Sequence, residues 1–167
     1  DGDGDIDLYV TRYVDWNFDR PSVPPVTFKG QKVLAGPAGL RPLPDVLLIN
    51  EGNGRFSSHP AINAESAYGL NAVILDIDSD DSMEILVGND GMANHLLKFD
   101  ETVWRDVATS HGFGTNMAGA EQATMGMAVG DVNQDGAPDV FTSNFSSDTN
   151  TLLVQENGFF VDRTNVY

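Results

Sequence analysis

Residues 131–139 read DVNQDGAPD, and that stretch decides the fold. Oxygen-bearing side chains stand at its first, third, fifth and ninth positions, with glycine at the sixth. The same frame returns at 76–84 (DIDSDDSME) and, from its third position onward, at 1–7 (DGDGDID). Each copy runs into a short apolar stretch: LYV, ILV or VFT. A second marker travels with the first, because DVLLINEGNGRF (45–56), NHLLKFDETVW (94–104) and NTLLVQENGFF (150–160) also align. Between the second and third copies the acidic loop moves by 55 residues and the LL segment by 56. Two markers moving together define an internal repeat.

Within one repeat the signals are those of strands. Apolar runs precede the loops at 70–75 and 125–130, and turn residues such as Gly52-Asn53-Gly54 and Asn157-Gly158 separate the later segments. Such turns suit hairpins, because these residues accept positive φ. Each repeat is therefore expected to form about four short antiparallel strands. An all-β fold of propeller blades follows, since a four-stranded unit repeated at this period is a propeller pattern. No segment sustains the 3.6-residue period of a helical solenoid. A sandwich would have no reason to reuse one acidic loop at a fixed offset. The expected blades are 1–66, 67–121 and 122–167, together a partial propeller, because propellers close with four to eight blades. The remaining blades of a longer parent chain are then expected as partners.

The first repeat departs from the others. Asp7 and Asp45 are 38 residues apart, whereas the equivalent positions are 10 apart in the second repeat and 11 in the third. The extra residues, about 14–44, are rich in proline and read as a long surface loop without strands. Trp16, at its start, is a candidate exposed contact. Phe56, Trp104 and Phe160 share one repeat position and read as packing residues.

The acidic loops have the chemistry of a hard-cation site. In the third, Asp131, Asn133, Asp135, the Ala137 carbonyl and Asp139 can surround one ion with oxygen, and Gly136 supplies the left-handed turn between them. That many protein oxygens favours calcium over magnesium. In the second, Asp76, Asp78, Asp80, the Ser82 carbonyl and Glu84 keep every ligand position, but Asp81 replaces the glycine, so weaker binding is expected. In the first, Asp1, Asp3, the Asp5 carbonyl and Asp7 fill positions three, five, seven and nine, and poor occupancy is expected. A helix-loop-helix calcium site is excluded, because its twelfth-position glutamate is Val87 or Thr142 here.

The loops also account for the charge. The chain of 167 residues carries 25 carboxylates, 19 of them Asp, against nine basic residues, for a net charge of -16. Twelve of the carboxylates lie in the three loops, and the other 13 against nine basic residues leave only -4. No basic stripe is present for nucleic acid or an anionic membrane. No apolar run is long enough to span a bilayer, so no membrane insertion is expected. The absence of cysteine excludes a disulfide scaffold and thiolate chemistry. His59, His95 and His111 stand alone, with no catalytic motif around them, and no catalytic residue is assigned.

These loops and the alternations after them resemble FG-GAP/VCBS repeats, the propeller blades also found in integrin α subunits. The runs DGDGDIDLYVTRYVDWN, GPAGLRPLPDVLLINEGNGRF and GMAVGDVNQDGAPDVFTSNFSSDTNTLL further resemble the ASPIC/UnbV-associated, cartilage acidic protein-like family. The resemblance implies a calcium-stabilised, non-catalytic module for protein interaction or cell adhesion. It is expected to be extracellular or secreted, periplasmic or cell-surface in a bacterium, with a protein or glycan partner. The ASPIC/UnbV domain itself is not expected within these residues. The ions would then rigidify loops that present the 14–44 insertion. The alternative is a propeller that forms part of, or serves, a carbohydrate-active enzyme.

Overall fold

A computed structural model describes residues 3–19, 25–33, 36–37, 39–59 and 62–166. Every regular element among them is a strand, 14 in four sheets. The first sheet joins β1 (Leu8–Val10), β4 (Val46–Asn50) and β5 (Phe56–His59). The second joins β6 (Ile62–Asn63), β7 (Gly69–Leu75), β8 (Glu84–Asn89), β9 (His95–Phe99) and β10 (Trp104–Asp106) in the order β6-β10-β9-β8-β7. The third is β11 (Thr124–Gly130), β12 (Asp139–Asn144), β13 (Thr151–Glu156) and β14 (Phe159–Asp162), a meander of antiparallel neighbours. β6 adds in parallel to β10, so this pairing crosses the expected 66/67 boundary.

The fourth sheet corrects an expectation. β2 (Val26–Phe28) and β3 (Gln31–Val33) form an antiparallel hairpin inside the insertion, which was expected to hold no strands. Lys29 and Gly30 both turn at positive φ between them, and the flanking VTF and QKV are short β-type runs masked in the sequence by the surrounding prolines.

Strand alternation explains where the core lies. Side chains of successive strand residues point to opposite faces. In β8 every residue is buried, so both faces of the second sheet are covered. Leu86 and Leu96 point into a cluster with Val140, Leu153 and Phe160 of the third sheet. Ile85, Val87 and Leu97 point the other way, toward Tyr9 of the first sheet and Ile62 and Trp104. Each fully buried Leu or Ile contributes about 1.5–3 kcal/mol. In β12 Val140 and Thr142 bury one face, whereas Phe141 on the other is 42% exposed. The connection 107–123 seals the junction by placing Phe113 in the same cluster, held by its N–H to the Ala108 carbonyl at 2.9 Å. Of the three residues at one repeat position, Phe160 is buried and Trp104 half-buried, but Phe56 is 43% exposed and does not pack as expected.

Sheets two and three approach closely at their innermost strands. Each of these carries a register irregularity at the same repeat position, Gly69/Asn71 in β7 and Thr124/Gly126 in β11. Asn71 Nδ2 donates to the Thr124 carbonyl at 3.2 Å. Gly88 sits beneath, where a Cβ would come within 2.7 Å of the Thr124 methyl, so only glycine fits.

The second repeat marker has a structural cause. Asn94 Oδ1 accepts the Asn89 N–H at 3.0 Å, Asn150 Oδ1 the Asn144 N–H at 2.9 Å, and Asp45 Oδ1 the Arg12 N–H at 2.7 Å. The residue that opens each third strand thus satisfies the backbone where the second strand ends. In the first unit the whole insertion runs between those two clamped residues. It leaves the far end of β1, whereas the acidic loop leads into the near end.

Candidate metal centres

Local hydrogen bonds shape the three loops alike. At the fifth position, Asp3 accepts the Asp5 N–H at 2.9 Å, Asp80 the Ser82 N–H at 2.8 Å and Asp135 the Ala137 N–H at 2.8 Å. At the first position, Asp76 accepts the N–H groups of Asp80 at 3.2 Å and Asp81 at 3.0 Å, as Asp131 accepts those of Asp135 at 3.1 Å and Gly136 at 2.9 Å. Short Asp side chains make these local bonds and so curl the chain, which longer Glu side chains would not do. Desolvation acts to raise the Asp76 carboxyl, but backbone N–H groups outweigh it and hold it below the ordinary range. The curl requires left-handed backbone at positions four and six: Ser79 (φ 60) and Asp81 (φ 67) in the second loop, Gln134 (φ 63) and Gly136 (φ 89) in the third. Asp1 lies outside the described residues.

The ninth position is different in kind, because in the second and third loops its carboxylate is buried. Asp139 is 1% exposed and accepts the N–H groups of Val132 at 2.8 Å and Gln155 at 2.9 Å. Asp7 accepts the Asn50 N–H at 2.9 Å, the counterpart of the Gln155 bond, which holds its carboxyl low. Glu84, also 1% exposed, accepts the Ile77 N–H at 2.9 Å. These carboxylates tie each loop back to its own sheet.

Here the second and third loops part. The Asp76, Asp78 and Glu84 carboxylates bring oxygens within 4.8 Å of one another, the one such trio among the described residues. Lys98 Nζ stands among them, 2.7 Å from Asp78 and 3.1 Å from Glu84. Burial pushes the Glu84 carboxyl up, with the Ile77 N–H and Lys98 opposing. Desolvation acts to lower the Lys98 ammonium, but its hydrogen bonds to Asp78 and Glu84 prevail and keep it protonated beyond the usual lysine range. The register that faces Leu97 to Ile85 faces Leu153 to Val140, so the counterpart of Lys98 is Val154. In the first sheet Leu48 faces Leu8, and the counterpart is Ile49. Neither can supply a charge.

The third loop therefore has oxygens without a built-in cation. Asp131, Asn133, Asp135 and Ala137 are exposed or half-exposed, and Asn133 Nδ2 donates to Asp135 Oδ2 at 2.8 Å. An Asn side chain offers an oxygen as readily as a nitrogen, so the same residue can turn its acceptor toward an ion. The donor set, oxygen throughout around a left-handed Gly136, fits a hard cation. That of the second loop fits by chemistry too, but an ammonium stands in it.

The two loops share an open cleft of about 770 Å³ lined by Asp78, Asp135, Gly136, Ala137, Glu156 and Gly158. Gln155 Nε2 donates across it to the Ile77 carbonyl, joining the sheets. Sequence reasoning missed Lys98, whose role depends on cross-strand register. It also missed a pocket of about 250 Å³ between the first and second sheets, where Tyr9, Asp45, His59 and His95 meet. There Tyr9 donates its hydroxyl to Asp45 at 2.8 Å, and burial raises both groups above their ordinary values. No helix among the described residues is long and apolar enough to cross a membrane.

Residues 76–142, from the second acidic loop into β12, match the family model of the FG-GAP-like repeat. The match spans both the second and the third acidic loop. No curated protein and no solved structure matches the chain significantly.

Proposed function

We propose that the three sheet units are blades of a β-propeller and that the chain is a calcium-stabilised, non-catalytic module for binding or adhesion outside the cytoplasm. Its partner is a protein or a glycan, and the ASPIC/UnbV-associated family is the group it resembles in detail. The observation that carries the reading is the repeated loop. One set of side-chain to backbone bonds, built on Asp at the fifth position, recurs in all three units and surrounds oxygen donors. The third loop is the strong calcium site. The second, which already contains Lys98, binds calcium only weakly. Further blades would cover the outward apolar residues Leu8 and Val10 of β1 and Phe141 of β12, which are 44%, 41% and 42% exposed.

The test is a thermal melt in chelator, in about 2 mM calcium and in equal magnesium, with calorimetric counting of sites. Sites of extracellular modules have dissociation constants of about 0.1–1 mM, so about 2 mM calcium should add about 0.6–1.8 kcal/mol. For a chain of this size that is a rise of a few degrees. One calcium-selective site with such a rise supports the reading. An unchanged melt, or an equal response to magnesium, refutes it.

A further inference from the structure

We infer that the chamber between the insertion hairpin and the third sheet binds a small organic cation with an apolar body. This inference does not rest on the calcium reading, since the chamber lies at the end of the sheets away from the acidic loops.

The chamber has a volume of about 390 Å³, within the range of small-molecule sites. Phe28, Val33 and Pro37 of the insertion form one side, and Met125 and Phe145 of the third unit form the other. Asp90, just after β8, is the one charged residue among the described lining residues. An apolar lining of that size favours an apolar body, and a single carboxylate sets the charge of what enters with it.

Asp90 is held in place. Its carboxylate accepts the Tyr13 hydroxyl, its N–H donates to the Tyr68 carbonyl at 2.9 Å, and the two tyrosine rings meet edge to face at 5.8 Å. Burial and the neighbouring Asp90 carboxylate both raise the Tyr13 phenol, so it stays a hydrogen-bond donor and takes no charge of its own. A carboxylate has about four acceptor positions, and one phenol leaves room for a cation.

The aromatic pair adds a second recognition element. Phe28 and Phe145 lie 5.9 Å apart, tilted by 42°. Lys29 Nζ sits 5.2 Å from the Phe28 ring centroid while donating to Ser146 Oγ at 2.7 Å. The ring therefore already receives one ammonium within the protein. Aromatic faces with a carboxylate nearby suit alkylammonium groups. Val26, Val33, Met125 and Phe145 remain 45%, 37%, 39% and 51% exposed, which leaves apolar surface for the ligand to cover. The net charge of -16 and Asp90 together oppose an anion.

The experiment titrates the full chain, in chelator and again in calcium, with benzyltrimethylammonium, its uncharged carbon counterpart neopentylbenzene, and phenylacetate. The cation should bind at least tenfold more tightly than the hydrocarbon, and phenylacetate should not saturate. Asp90→Asn should remove that preference while leaving hydrocarbon binding within about twofold. Met125→Lys, at an exposed rim position, should abolish cation binding without touching the tyrosine network, and it decides the matter if Asp90→Asn does not fold. Equal binding of cation and hydrocarbon, or cation binding untouched by these substitutions, would overturn the inference.

Discussion

At residues 76–84 three carboxylates converge and two of them, Asp78 and Glu84, pair with the ammonium of Lys98, whereas at 131–139 the corresponding strand position holds Val154 and the carboxylates are held by N–H groups alone. The local backbone is the same in both, down to the left-handed residues at positions four and six. Loop shape and loop charge are thus set separately. The shape comes from short Asp side chains within nine residues, and the charge balance comes from a strand 14 residues downstream of Glu84. A buried carboxylate needs a partner wherever it stands. The second unit carries that partner covalently, and in the third the proposed calcium ion would supply it from solution.

The largest effect should come from removing the built-in cation. Lys98→Met leaves Glu84 buried beside Asp78 with no counter-charge. Breaking a fully buried pair costs about 3–5 kcal/mol, and because Lys98 is about a quarter exposed the loss in chelator should fall near the lower end, about 3 kcal/mol. Calcium should then restore much of it, and calorimetry should count one more site than in the parent. Stability that is unchanged in chelator would mean that Lys98 neutralises nothing, and the contrast between the loops would collapse.

Next comes the third loop itself. Asp135→Ala removes a proposed ligand and also the bond that holds the Ala137 N–H. Calcium affinity at this site should fall at least about 100-fold, at or beyond the upper end of what losing a supporting group costs. The calcium-dependent rise in melting temperature should largely vanish, because the second loop still contains Lys98. A variant that binds calcium as tightly as the parent would remove Asp135 from the ligand set.

The far end of the sheets supplies a control, since there the two units are built alike. Asn94→Ala strands a buried N–H on Asn89 and should cost about 1–2 kcal/mol; the exposed Asn150→Ala should cost about 0.5–1 kcal/mol. Denaturant titrations in chelator and in calcium should give the same losses. A calcium-dependent cost at either position would show that the two ends communicate, and the separation of acidic loop from insertion would then need revision.

How much of this was legible in the sequence follows from the range of the interactions. The strand pattern, the repeat and the loop curl are written in local signals, the curl in side-chain to backbone bonds within nine residues, and these the sequence shows. Asp45, Asn94 and Asn150 were visible as a repeated marker, but their purpose needed the strand ends to be placed side by side. The role of Lys98 depends on register: a one-residue slip would turn its side chain to the other face of the sheet. The β2–β3 hairpin was hidden because each arm has only three residues among prolines and glycines, and it rests against Phe145, 117 residues from Phe28. Phe56 misled because repeat equivalence does not ensure equal burial. Its strand ends the first sheet on the side where β10 has Trp104 against β6 and β9.

The smallest predicted effect tests whether shape and charge are truly separate. Asp81 and Gly136 occupy the same position at nearly the same left-handed φ, 67° and 89°. Asp enters that region more readily than most residues but still at a cost that glycine avoids, while glycine gives the unfolded chain more freedom. The balance should favour Asp81→Gly by about 0.5 kcal/mol in chelator, with a like-charge neighbour also removed. Gly136→Asp should mirror it with a loss of similar size, because nothing lies within 4 Å of where the new Cβ would stand. If backbone strain alone separates the two residues, denaturant midpoints will move in opposite directions by similar amounts, and calcium will leave the difference unchanged. A larger loss for Gly136→Asp in calcium than in chelator would show that the added carboxylate disturbs a bound ion, placing the ion at the third loop by an independent route.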